Sequence, residues 1–90
     1  MTRQEVIDLL EKNKNSFLQE IKESKELLFL LKESTIRKLT DVEKEKVKEQ
    51  LLDICKSIPA FTVFMLPGGA LLLPLLIKLI PNILPSAFRE

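Results

Sequence analysis

The sequence contains no histidine, tryptophan or tyrosine, and it has one cysteine, Cys55. The absence of histidine excludes Ser/His and Cys/His nucleophilic dyads and histidine-based acid–base catalysis. A lone cysteine cannot form an internal disulfide, and without histidine it leaves no common zinc or transition-metal ligand set. We therefore predict no metal site and no catalysis by these routes, and we expect no cofactor.

Charged residues are scarce in the last third of the chain. Residues 1–56 carry twelve Lys or Arg and twelve Asp or Glu, whereas residues 57–90 carry only Lys78, Arg89 and Glu90. Basic and acidic residues alternate in the N-terminal part, so no basic stripe for phosphate contacts forms. This pattern argues against direct nucleic-acid binding. It divides the chain into a charge-balanced segment and an apolar tail.

The composition favours an all-α fold, because Leu, Lys and Glu dominate and all three are good helix formers. In residues 2–33, one helical face is predicted by the spacing of Val6, Leu10, Phe17, Ile21, Leu28 and Leu31. The face is interrupted at Asn13, Asn15 and Ser16. This interruption indicates a break between a short helix and a longer one. The run 27–31 is apolar all round, which predicts burial on more than one side. We expect a helical hairpin, with a leucine-zipper dimer as the alternative.

A second helix start lies at Thr40. Thr40 and Glu43 have the spacing of a capping box, in which each side chain bonds the backbone N–H of the other residue. From there one buried face of a long helix is predicted by Val47, Leu51, Ile54 and Ile58. Cys55 is expected to be a small residue near the core. The helix could continue through Pro59 with a kink.

The apolar tail has the length of a membrane span but contains helix breakers. Residues 57–77 are twenty-one consecutive uncharged residues, and about 20 suffice to cross a bilayer core. Prolines recur through the tail, and the strongest break is the membrane-break motif Pro67, Gly68 and Gly69. Three arrangements remain open. They are a kinked span over 58–79, a re-entrant hairpin with arms at 58–66 and 70–80, and a bundle in which the N-terminal helices bury the tail.

Positive charges flank the tail unevenly. Six lie within twenty residues upstream of it, namely Arg37, Lys38, Lys44, Lys46, Lys48 and Lys56, whereas only Lys78 and Arg89 follow. The positive-inside rule therefore predicts that the N-terminal part stays on the cytoplasmic side.

Residues 35–90 resemble the LETM-like family, the leucine-zipper/EF-hand-containing transmembrane proteins. The resemblance rests on Leu39-Thr40-x-x-Glu43, on Asp53-x-x-Lys56-x-Ile58-Pro59 and above all on the run LLPLLIKLIPNILPSAF at 72–88. The residues of that run that carry the family motif are Pro74, Lys78, Pro81, Asn82, Pro85, Ser86 and Phe88. The Pro-Gly-Gly at 67–69 is similar to the bacterial branch, and the chain is identified as a short bacterial-type member.

We therefore divide the chain into two segments, a charged amphipathic hairpin at 1–39 predicted from its helical spacing, and a LETM-like segment at 40–90 whose membrane-seeking tail spans about 57–80. The resemblance implies a bacterial or mitochondrial inner-membrane location and a non-enzymatic role in membrane organisation or cation/proton homeostasis. The expected partner is a lipid bilayer, with a homo-oligomer and a ribosome as further candidates. A soluble helical protein-interaction module and a ribosome-associated membrane adaptor are the alternative functions. No EF-hand loop is present.

Overall fold

The computed structural model describes residues 2–85, and within them every regular element is helical. The predicted all-α fold is confirmed. Five α-helices follow in chain order: α1 Arg3–Lys12, α2 Lys14–Glu23, α3 Lys25–Ser34, α4 Asp41–Ser57 and α5 Leu73–Ile83. Two 3-10 helices, Pro59–Met65 and Gly69–Leu72, connect α4 to α5.

Residues 3–34 contain two breaks, at Asn13 and at Ser24. The first lies where the sequence predicts it, and the Asn13 side-chain amide there donates to the carbonyl of Leu9 at 2.9 Å. The second was not predicted. Ile21 and Leu27 are both fully buried, but in one continuous helix they would point about 120° apart. The break at Ser24 lets both side chains reach the core.

The N-terminal ends of α1 and α4 are each closed by a capping box. Thr2 accepts a hydrogen bond from the Glu5 N–H, and the Glu5 carboxylate accepts one from the Thr2 N–H. At α4, Thr40 Oγ1 accepts from the Glu43 N–H at 3.2 Å, and Glu43 Oε1 accepts from the Thr40 N–H at 2.8 Å. These bonds satisfy N–H groups that a helix start leaves without partners.

The core is apolar and is built from both parts of the chain. Val47, Leu51, Ile54 and Ile58 are buried as predicted, and so is Cys55. Of the run 27–31, Leu27, Leu30 and Leu31 are buried, but Phe29 is 57% exposed, so the run faces the core on one side and solvent on the other. Val6, Leu10, Phe17 and Ile21 of the N-terminal helices are also buried as predicted. The tail adds seven further core residues, Phe61, Phe64, Leu73, Leu76, Leu79, Ile80 and Leu84.

Helix α4 ends at Ser57 and does not continue through Pro59. Ile58, the residue before the proline, is extended, with φ −114° and ψ 106°. A proline ring disfavours the helical conformation of its preceding residue, so the chain turns here and Pro59 opens a 3-10 helix instead. The tail therefore folds back on α4, and α5 then packs against α1.

Candidate functional site: the broken apolar tail and an adjacent groove

The tail changes direction at Pro67, Gly68 and Gly69. The Gly69 N–H donates to the carbonyl of Leu66 at 2.8 Å and closes a four-residue turn. Gly68 has φ 86° and ψ −25°, the left-handed conformation that the third residue of a type II turn requires. A Cβ at Gly69 would collide with the backbone carbonyl of Val63, so the two arms touch through their backbones. Each glycine is thus required for a different reason.

Within the described residues, no single helix is both long and apolar enough to cross a bilayer. Taken together, the two arms Pro59–Met65 and Gly69–Ile83 are long and apolar enough, but they are bent by 103° at the break.

Large apolar side chains are exposed around this turn. Met65 is 39% exposed, Leu66 59% and Leu71 82%. Pro67 and Gly68 between them are exposed as well, whereas Phe64 and Leu73 on either side are buried. We call residues 65–71 the apolar tip. Apolar side chains that stay exposed to water do not stabilise the fold. Where several of them cluster on a surface, they are typical of a contact with a membrane or with another protein.

Three of the four motif residues in α5 form an exposed stripe, and the fourth is half-buried. Pro74, Lys78 and Asn82 are exposed and recur every four residues, so they share one side of the helix. Pro85 beyond the helix is also exposed, and Pro81 is half-buried. Pro81 has no N–H, so it cannot bond the carbonyl of Ile77. The motif residues Ser86 and Phe88 lie outside the described residues.

A groove of about 920 Å³ lies beside the tip. Its walls are the α3–α4 connection, the N-terminal half of α4, and the segment 70–77. Val47 and Leu73, both buried, belong to its floor, and Ala70, Pro74 and Ile77 extend that apolar floor along the tail. Sequence analysis did not find this groove, because its walls are distant in sequence.

An ion-pair cluster fixes the α3–α4 connection at the groove. The Arg37 guanidinium donates to both Glu43 carboxylate oxygens, at 2.9 and 2.8 Å, and to Glu33 Oε1 at 3.0 Å. Hydrogen bonds from Arg37 and from the Thr40 backbone lower the pKa of Glu43 to about 2. Arg37 thus joins the end of α3 to the capping box of α4 and holds the groove wall in place.

Two comparisons with known proteins give matches to this chain. The family model described as "LETM1-like, RBD" matches residues 39–90, more than half of the chain. The LETM1 domain-containing protein mdm28, mitochondrial, of Schizosaccharomyces pombe is 37% identical to it over 71 residues. That alignment covers 79% of this chain and 15% of the relative, so the chain spans a small part of that protein's length. No solved structure gives a significant match. The chain belongs to the LETM1-like family.

Proposed function

We propose that this protein is a non-enzymatic, membrane-associated member of the LETM1-like family whose broken tail contacts the lipid bilayer. Its role would be in membrane organisation or in cation/proton homeostasis. The observation that carries the proposal is the apolar tip, where Met65, Leu66 and Leu71 are exposed around a turn built from proline and glycine. The relative named mdm28 is described as mitochondrial, a location that is compatible with this role.

The packing of the tail favours a shallow contact as the form of this association. Phe61, Phe64 and Ile80 are fully buried against the rest of the protein, whereas the tip residues face outward. A bilayer contact through the tip alone leaves the core intact and removes exposed apolar surface from water. Each fully buried Leu or Met side chain contributes about 1.5–3 kcal/mol. Two or three such side chains are enough for reversible membrane binding.

Flotation of the purified chain with phospholipid vesicles tests the proposal. The chain should float with the vesicles, and Leu66→Lys should reduce binding because it places a charge in the tip. Phe29→Lys is the matched control, since Phe29 is 57% exposed on α3 and Leu66 is 59% exposed. If the chain stays in solution with every vesicle, or if both variants lose binding equally, the tip is not a membrane contact. Complete release from cell membranes by carbonate is expected of a contact through the tip alone and would exclude a membrane-spanning arrangement of the tail.

A cation or proton pathway through the break has its own test. Lys78 is exposed on α5 and is the one charged residue among the described residues of the tail. Cation flux in proteoliposomes should fall in Lys78→Ala and in Gly69→Leu if ions pass at the break. Unchanged flux in both variants would leave membrane organisation as the role.

A further inference from the structure

The groove beside the tip combines apolar lips with a cationic rim. Of the described large apolar side chains, Leu71 and Ile36 are the most exposed, at 82% and 79%, and both line the groove. They come from opposite walls, Ile36 from the α3–α4 connection and Leu71 from the tail. An apolar floor of Val47, Leu73 and Ile77 lies between them.

Most charged side chains at the rim of the groove are positive, and most of these form no salt bridge within residues 2–85. Lys38, Lys44 and Lys48 line the groove, and none of them forms a salt bridge with a carboxylate within residues 2–85. Arg37 also lines it, but its guanidinium is engaged by Glu33 and Glu43. Glu45 is the acidic residue of the rim, so three lysines face one carboxylate. Lys44 and Lys48 are four residues apart and share one side of α4.

We propose that this groove binds the headgroup of an anionic phospholipid. The inference rests on the proposed membrane contact and names the lipid class that this contact selects. The lysines Lys38, Lys44 and Lys48 hold the phosphate and any further headgroup charge, while the side chains of Ile36 and Leu71 enter the acyl region. The ammonium groups supply the opposite charge, and the apolar lips match a ligand that is apolar on one side.

Continuity between the groove and the tip favours a lipid over an acidic protein helix. Leu71 belongs to both surfaces, so a bilayer in contact with the tip already reaches the mouth of the groove. An acidic helix lying in the groove would cover Ile36 and Leu71 but would not require Met65 and Leu66 to be exposed at the turn. A bilayer contact explains all four exposed side chains together.

The expected preference is large enough to measure. A lysine beside an anionic membrane surface is worth about fivefold in affinity, and three together are worth on the order of a hundredfold. The attraction should weaken as salt is added, because ions screen charges at an exposed surface. Loss of the three lysines should therefore abolish a preference for anionic lipid and leave the apolar contribution of the tip unchanged.

The test compares the full chain on vesicles of phosphatidylcholine alone and on vesicles of phosphatidylcholine mixed equally with phosphatidylglycerol. The groove variant carries Lys38→Gln, Lys44→Gln and Lys48→Gln. The matched control carries Lys12→Gln, Lys14→Gln and Lys25→Gln, three exposed lysines outside the groove with the same total charge change. Circular dichroism verifies that both variants keep the helical fold. Lys44→Gln alone, with an expected loss of about fivefold, gives the same test at a single position.

The proposal expects the wild type and the control to prefer the anionic vesicles, and the groove variant to bind both vesicles alike. Equal losses in the two triple variants would overturn it, because net charge and not the groove would then set the preference. A wild type that binds both vesicles with the same affinity would also overturn it, although the proposed membrane contact would stand. Absence of binding to either vesicle would refute the membrane contact itself.

Discussion

The ring of Phe17 in α2 meets the ring of Phe61 in the tail edge to face, with centroids 5.0 Å apart and an interplanar angle of 75°. Phe61 makes a second edge-to-face contact with Phe64 at 5.8 Å. All three rings are fully buried. This cluster joins the charged N-terminal part to the apolar tail, so the stability of each part depends on the other. The two segments distinguished in the sequence therefore share one core.

Truncation of Phe61 should destabilise the whole chain. Phe61→Ala removes both aromatic contacts and leaves a cavity, which typically costs about 3–5 kcal/mol. The free energy of unfolding, measured by urea denaturation followed by circular dichroism, should fall by this amount. Phe29→Ala removes a ring that is 57% exposed and should cost less than about 1 kcal/mol. If Phe61→Ala unfolds the chain entirely, Phe61→Leu should show a smaller loss. Equal effects of Phe61→Ala and Phe29→Ala would contradict a shared core.

The two glycines of the turn should respond differently to alanine. At Gly68 nothing lies near the added methyl group, so Gly68→Ala should cost only the left-handed backbone strain, about 1–2 kcal/mol. At Gly69 the methyl group would collide with the Val63 backbone, which cannot move away as a flexible side chain can. We expect Gly69→Ala to cost roughly 3 kcal/mol or more. Urea midpoints of the two variants, measured together, test the order, and a larger loss at Gly68 would show that the arms do not touch as described.

The sequence predicted the features that depend on local pattern. Helical spacing identified Val47, Leu51 and Ile54 as one buried face, because that spacing is set by the helix itself. The break at Ser24 was not predicted, since a lone serine does not stop a helix. The break arises because Ile21 and Leu27 must both reach the core.

The groove could not have been predicted, and the reason is geometric. Its lips, Ile36 and Leu71, are thirty-five positions apart, and nothing in either segment alone indicates that they approach. Composition had marked the tail as apolar throughout. The structure separates the tail residues that build the core, such as Phe61 and Ile80, from those left exposed at the tip. The local pattern predicted the break at Pro67, Gly68 and Gly69, but it does not specify how the two arms pack on the N-terminal helices, and that packing decides which tail residues are buried.

The Arg37–Glu43 pair should make the free energy of unfolding depend on pH in the acidic range. Hydrogen bonds from Arg37, and next from the Thr40 backbone N–H, lower the pKa of Glu43 from 4.5 to about 2 in the folded chain. A lowered folded-state pKa means that this stabilisation is complete above about pH 4.5 and is lost as the pH falls towards 2. Arg37→Gln should therefore be less stable than the wild type near neutral pH, and the difference should shrink through that window. Urea midpoints measured across the acidic range give the comparison.

The control for the pair is Glu49→Gln, which removes another carboxylate from α4. Glu49 is exposed and forms no salt bridge among the residues that the structure describes. Near neutral pH it should change the urea midpoint less than Glu43→Gln does. A stability difference between the wild type and Arg37→Gln that stays constant down to pH 2 would exclude the pair as its source.

The thiol of Cys55 should be protected in the folded chain. Cys55 is fully buried on α4, and burial raises the pKa of its thiol to about 11. The thiolate is the reactive form, so both burial and the raised pKa slow its reaction with a disulfide reagent. Native protein should react slowly, and urea should accelerate the reaction sharply as the core opens. A matched control combines Cys55→Ala with Ser57→Cys, because Ser57 is exposed two residues further along α4. That double variant should react at a rate close to that of a small free thiol, with or without urea. Native wild type that reacts as fast as this control would show that the face of α4 carrying Cys55 is open, and that the tail does not cover it.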